Sequence, residues 1–215
     1  DNVELVHSYK KLQSKIYFSY EDNMFAQLPL ANPETNFIRF TDRNYFSAKK
    51  YGVLETYIFD NYTWWTSTNE VDVFYTVTTS TVAAASGKKG MSSRMSTSND
   101  FILNSKKTVL FNIGYWYGFK GVDGIFNTLP QSAVSLAFQY LLLDKNLKLS
   151  FRVTDPFRTE KNRMQTSVNG VYQNGVYYYD SQSFQFSVSY KFGNNSLKQQ
   201  QRQIGNEEER RRVGN

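Results

Sequence analysis

The sequence predicts an all-β chain: a transmembrane antiparallel β-barrel segment of about nine strands, followed by a polar tail. Three observations carry this reading. Apolar and polar residues alternate with a period of two in run after run, as in "FQFSVSYKF" (184–192), where Phe184, Phe186, Val188, Tyr190 and Phe192 alternate with Gln185, Ser187, Ser189 and Lys191. Aromatic residues reach 17% in a chain that is hydrophilic on average, with 16 Tyr and 17 Phe. Short and long connections between the runs alternate, apart from the compact turn at 31–36, as in outer-membrane barrels with short turns at one end and long loops at the other. A transmembrane strand needs only about 9–11 residues, every second of which is free to be polar, so average hydropathy does not register it. No run approaches the roughly 20 apolar residues of a membrane helix, which excludes helical spans and nothing more.

In chain order, the first run is 2–10, with Val3, Leu5 and Tyr9 on one face. After the turn at Lys10 and Lys11 comes 13–27, where Ile16, Phe18 and Tyr20 alternate with Lys15, Tyr17 and Ser19. "ANPETN" (31–36) is a turn by composition. A long extended stretch, 37–60, follows; its alternation blurs at "YGVLETYIF" and its faces stay unassigned. After the turn "DNYT" (60–63), residues 64–81 set Val71, Val73, Tyr75 and Val77 against Glu70, Asp72, Thr76 and Thr78. "AAASGKKGMSS" (83–93) reads as a flexible loop and 94–104 as a weaker strand. In 109–119, Val109, Phe111, Ile113, Tyr115, Tyr117 and Phe119 oppose Asn112, Gly114 and Gly118. Strands 132–142 and 147–154 follow a loop at 120–130 and a turn at 143–146. A Tyr-rich loop, about 159–180, leads to the final strand. The barrel segment is therefore 1–193 and the tail 194–215.

A soluble β-sandwich or barrel also alternates. Three features favour the membrane instead. The strands exceed the usual five or six residues. Gly shares the polar face with Lys and Arg, which suits a wet lumen. The apolar faces carry aromatics near the turns, including Tyr62, Trp64, Trp65, Tyr115 and Tyr117, which suits interfacial girdles.

The 215 residues contain no cysteine, which removes disulfides and thiolate chemistry. The formal charge is +6, part of it in the tail, and Lys and Arg are scattered, so no nucleic-acid partner is expected. The chain starts at Asp1 without a signal peptide, as expected of a processed N-terminus or a piece of a longer protein. His7 is the only histidine and shares a face with Val3, Leu5 and Tyr9. A Ser-His-Asp arrangement would have to use it, and no G-x-S-x-G motif is present. Glu70 and Asp72 share a polar face, with Glu21 on another strand; they read as solvated lumen charge or a weak cation site. No metal, cofactor or enzymatic activity is expected. Tyr172, Tyr177, Tyr178 and Tyr179 are candidate loop contacts to a sugar or peptide, or alternatively membrane-rim anchors. In the tail, Glu207 with Arg211 and Glu208 with Arg212 stand four residues apart, which admits a short solvated helix. A composition so rich in Gln, Glu and Arg cannot bury a core, so a disordered or partner-docked tail is expected.

"VTDPFRTEKNR" (153–163), the Tyr/Asn/Gly-rich loop after it, "YYYDSQSFQFSVSYKFGN" and the tail "QRQIGNEEERRRV" together resemble the C-terminal end of the TonB-dependent receptor-like outer-membrane β-barrel proteins of Bacteroidota. "NVELVHSYK" with "KIYFSY" is similar to an earlier hairpin of the same barrels, and "NFIRFTDRNYFSAKKYGVLETYIF" to the long strand after it. The resemblance implies a barrel of about 22 strands around a plug that opens when TonB pulls on it. It implies uptake of a bulky nutrient such as an iron chelate, oligosaccharide or peptide; the alternative is a scaffold barrel within a larger outer-membrane complex. The implied partners are the remaining strands and plug, membrane lipid and lipopolysaccharide, TonB, the barrel-assembly machinery and a surface lipoprotein, with the C-terminus in the periplasm. Residues 184–192 also resemble the aromatic-ended strand signal of the assembly machinery, here internal. Nine strands cannot close so large a barrel, so the edges at 2–10 and 184–192 are expected to pair with other strands.

Overall fold

A computed structural model describes residues 1–192, apart from positions 33, 36, 84 and 169. The tail read at 194–215, with its Glu/Arg pairs, lies outside the described residues. All regular elements among the described residues are strands: β1 (Asn2–Tyr9), β2 (Leu12–Ala31), β3 (Ile38–Tyr62), β4 (Trp65–Ser80), β5 (Lys89–Ile102), β6 (Val109–Gly118), β7 (Gly121–Asp123), β8 (Phe126–Thr128), β9 (Gln131–Leu142), β10 (Leu147–Thr154), β11 (Lys161–Val168), β12 (Val171–Tyr178) and β13 (Ser183–Tyr190). Nine form one antiparallel sheet in the order β1-β2-β3-β4-β5-β6-β9-β10-β13; β12-β11-β8-β7 form a second.

The connections 10–11, 63–64, 103–108 and 143–146 lie at one end of the large sheet, and 32–37, 81–88, 119–130 and 155–182 at the other. The compact turn at 31–36 is therefore no exception to the asymmetry. Its excursion is made of strand, since β2 and β3 run for 20 and 25 residues and project beyond their neighbours. Three further expectations need correction. The stretch 159–180 is not a loop but the hairpin β11–β12, and 120–130 carries the small hairpin β7–β8. The loop at 83–93 ends at 88, because Lys89 already pairs with Val77. Gly90 gives that strand its loop-like composition, and it has a packing reason. A Cβ there would lie 2.9 Å from Cγ2 of Val122, which crosses above it.

The ladder register turns the alternation into two continuous faces. Trp65, Phe101, Phe111, Phe138, Phe151 and Phe186 stand opposite one another across six adjacent strands. Val73, Val53, Ile16 and Leu5 continue the same face to β1. This face is open: Phe186 is 67% exposed, Leu5 68% and Ile16 57%. On the other side, Gln185, Arg152, Ala137, Asn112, Asp100 and Thr66 form the matching polar row. The blurred stretch in β3 is also explained. Leu54 stands opposite Lys15 and Asp72, on the polar face, while Glu55 stands opposite Ser14 and Val71, on the apolar one.

The second sheet lies over the polar face at the end of the long connections. Val122 N donates to Ser92 Oγ (3.0 Å), and Thr166 Oγ1 donates to the Ile125 carbonyl (2.8 Å). Beneath it Tyr45, Phe46, Ala85, Ile125 and Val168 form a buried cluster. Burying a large apolar side chain contributes about 1.5–3 kcal/mol, so this cluster holds the cap in place. The large sheet is open: β1 and β13 each pair on one side only. With nine antiparallel strands, those two edges run in the same direction, so they cannot pair antiparallel with each other.

Candidate functional site

The polar face begins with Tyr17, whose ring lies across Gly52 on the neighbouring strand. A Cβ at Gly52 would overlap that ring. The space lets the Tyr17 hydroxyl reach Asp72 Oδ1 at 2.9 Å, over two strand spacings. Cations on this wall lean on aromatic faces. Arg94 sits 4.5 Å from the Trp116 ring centre and Lys50 4.7 Å from that of Phe74. Glu70 accepts from Ser96 Oγ at 3.1 Å, and Asn112 donates to Ser98 and Asp100. Between this wall and the β7–β8 hairpin lies a cavity of about 410 Å³ whose lining includes Glu21, Lys50, Asp72, Arg94 and Asp123. Both signs of charge meet there, so the wall is polar without a strong net field.

Glu70 and Asp72 point to this wall with Glu21, and among the described residues no group of three or more His, Asp or Glu is arranged to hold a metal ion. His7 stands opposite Ser14, and Ser14 opposite Glu55, on the apolar face. The Ser14 hydroxyl donates to Glu55 Oε2 at 2.7 Å. A nucleophilic serine hands its proton to a base that a third group orients; here the serine bonds the carboxylate directly, so the row does not have relay connectivity.

Tyr62, Trp64 and Trp65 cluster at the short-turn end with Phe59 and Phe101, at ring separations of 4.8–6.3 Å. Trp65 Nε1 donates to Asn99 Oδ1 at 3.1 Å, and Asn99 and Asn69 bond Thr97, so this polar ladder satisfies its own groups. Tyr115 and Tyr117 lie toward the opposite end of the sheet, Tyr117 packing edge-on against Phe119 at 4.7 Å. Phe184, Phe186, Val188 and Tyr190 occupy the apolar face of edge strand β13; Phe192, just beyond, is 89% exposed and packs edge-on to Tyr190.

The four candidate tyrosines divide. Tyr172, Tyr177 and Tyr179 line a groove of about 490 Å³ between the β11–β12 hairpin and the projecting parts of β2 and β3. Tyr177 and Tyr179 stack at 6.4 Å. Tyr178 is drawn elsewhere: its hydroxyl accepts from Gln182 N at 3.0 Å.

That contact belongs to a clasp built around Asp155. Asp155 is fully buried where β10 ends. Its carboxylate accepts from Thr159 N (2.8 Å), Thr159 Oγ1 (3.2 Å), Glu160 N (3.2 Å) and Ser181 Oγ (2.8 Å). It thereby ties together both feet of the hairpin. Burial opposes the charged form, but the hydrogen bonds from Ser181, Thr159 and Glu160 outweigh it and hold the carboxyl below the ordinary carboxylate pKa. Gln182 adds bonds to Pro156 and Arg158. The signal was an Asp-Pro pair closing a strand, a turn marker whose side chain bonds nearby backbone.

An antiparallel sheet with one open aromatic face and one polar face lined by a covered cavity has the organisation of a transmembrane β-barrel wall. The chain belongs to the outer membrane protein β-barrel family, whose model matches residues 1–190, and its place is the bacterial outer membrane. No curated protein matches it, and no solved structure does.

Proposed function

We propose that this chain is the wall of a TonB-dependent, transporter-like barrel that admits a bulky nutrient. The observation that carries the reading is the open nine-stranded sheet whose two edges run parallel. In lipid, unpaired N–H and C=O groups at such edges cost several kcal/mol each, so further strands must cover them. Antiparallel closure between parallel edges requires an odd number of added strands. A total of about 22 satisfies that parity and leaves a lumen wide enough for a plug. The mixed-charge polar wall then lines the lumen and the second sheet caps the outer mouth. The short turns and the C-terminal tail face the periplasm. In this reading the remaining strands, the plug, TonB and the barrel-assembly machinery are partners, lipopolysaccharide and lipid meet the apolar face, and a surface lipoprotein docks at the mouth. The chain performs no covalent chemistry, and the lineage is Bacteroidota.

The test uses the complete gene product. It should copurify with the periplasmic domain of TonB and conduct ions in a planar bilayer only after the plug is removed. A barrel that conducts permanently, or that ignores TonB, would overturn the proposal.

A further inference from the structure

The groove beside the second sheet lies over one face of that sheet and reaches round to a strand edge. Every residue from 171 to 175 contributes to its lining, although alternate residues of a strand point to opposite faces. Most of the lining lies over one face of the sheet, where Met164 and Thr166 of β11 stand opposite Gly175 and Gln173; Tyr172 and Asn174, from the other face, bring the cavity round β12, the edge strand. The open hydrogen-bonding groups follow from the register. Leu129 N donates to the Arg163 carbonyl, which turns Arg163 toward β8. Its partner across the hairpin, Val176, therefore directs its own N–H and C=O away from β11, as do Tyr172 and Asn174. Edges of natural sheets are guarded by Lys, Pro or bulges. β12, "VYQNGVYY", carries no charge and no proline, and pairs with β11 without a register break.

We infer that this edge takes a short, uncharged oligopeptide as an added strand. Ile38 and Phe40 on the opposite wall, with Met164 and Phe126 on the face of the second sheet, supply apolar contacts for side chains. No ionisable side chain other than tyrosine lines the groove, so charged peptides are disfavoured. Gln173 Nε2 is shielded from solvent and has no acceptor among the described residues, leaving a donor for a main-chain carbonyl. The open positions 172–176 span about 13 Å at ~3.3 Å per residue, which matches a segment of about five residues. The groove's size is that of a small-ligand site. The inference deepens the uptake reading and rests on it only for what happens after the peptide binds.

The experiment titrates the full gene product, in detergent or nanodiscs, with a library of capped neutral hexapeptides. The best binder is then remade N-methylated at alternate residues in each of the two registers. One register should abolish binding and the other leave it intact. Val176→Pro removes an edge donor that proline tolerates on an outer strand, and should weaken binding at least about tenfold while the β10–β13 ladder keeps its exchange protection. Absence of any binder at millimolar concentration would overturn the inference, as would equal binding of both methylated forms or competition by a neutral oligosaccharide panel. Peptide bound but not taken up would leave the groove standing and sink the uptake reading; uptake unaffected by Val176→Pro would do the reverse.

Discussion

Replacing Asp155 with Asn tests whether one carboxylate holds the cap hairpin shut. The carboxylate uses both oxygens: Oδ1 accepts from Thr159 N and Oγ1, Oδ2 from Glu160 N and Ser181 Oγ. An amide keeps one acceptor oxygen and presents an NH₂ group to the other pair. The serine or threonine hydroxyl can turn round and accept, but a backbone N–H cannot. At least one buried N–H is thus left facing a donor, at a cost of about 1–3 kcal/mol. If the hairpin opens as a unit, amide exchange across 161–178 should accelerate roughly 5- to 150-fold, while the β3–β4 ladder stays unchanged. The pH dependence supplies a second readout. The folded pKa lies below the ordinary 3.8, so the unfolded hairpin binds more protons as pH falls. The contribution is complete above about pH 4 and disappears as pH drops through the folded value. The gap between parent and Asp155→Asn should therefore close in acid. Exchange rates within twofold of each other at pH 7, or a gap that widens in acid, would refute the clasp.

Three further outcomes follow from the packing. Gly52→Ala should push the Tyr17 ring off its neighbour and break its bond to Asp72, lowering urea stability of the refolded barrel by about 1–2 kcal/mol; an unchanged midpoint would mean the ring repacks freely. Gly90→Val should press on Val122 and lift the β7–β8 hairpin, read as faster exchange at 121–128 with β5–β6 still protected; equal rates would remove the packing role of Gly90. Serine at both Tyr190 and Phe192 should block membrane insertion, scored by heat-modifiable mobility of the membrane fraction, and normal insertion would count against the strand as an assembly signal.

The large sheet was legible because its code is local. A residue's face depends on parity, and parity holds along the ladders except at the register shifts near Glu21–Phe25 in β2 and Phe59–Tyr62 in β3. It blurred at 51–59, where Leu54 turns to the polar face and Glu55 to the apolar one. Both choices make sense only across strands: Glu55 bonds Ser14, 41 residues away. The second sheet was illegible for the opposite reason. β7 and β8 have three residues each, too short to show a period, and β12 reads as loop because Asn174 and Gly175 interrupt it. Asp155 lies within the legible stretch 153–163, but its role needs Ser181, which the hairpin brings back from 26 residues on.

The buried cluster under the cap shows how those distant pieces act together. Tyr45 and Phe46 come from β3 at the end of its ladder with β4, Ala85 from the β4–β5 connection, Ile125 from the β7–β8 turn and Val168 from the end of β11. Four excursions separated by some forty residues each give to one core. A loop contributing nothing to such a core could vary independently; these cannot, because losing one wall of a packed cluster leaves a cavity that the others must bear. Asp155 fixes the feet of the last excursion while Val168 fixes its tip, so the hairpin is held at both ends. That double attachment sets the free edge of β12 in place across the groove from Phe40 and Ile38, and a preformed groove lowers the ordering cost of reading a strand by its backbone.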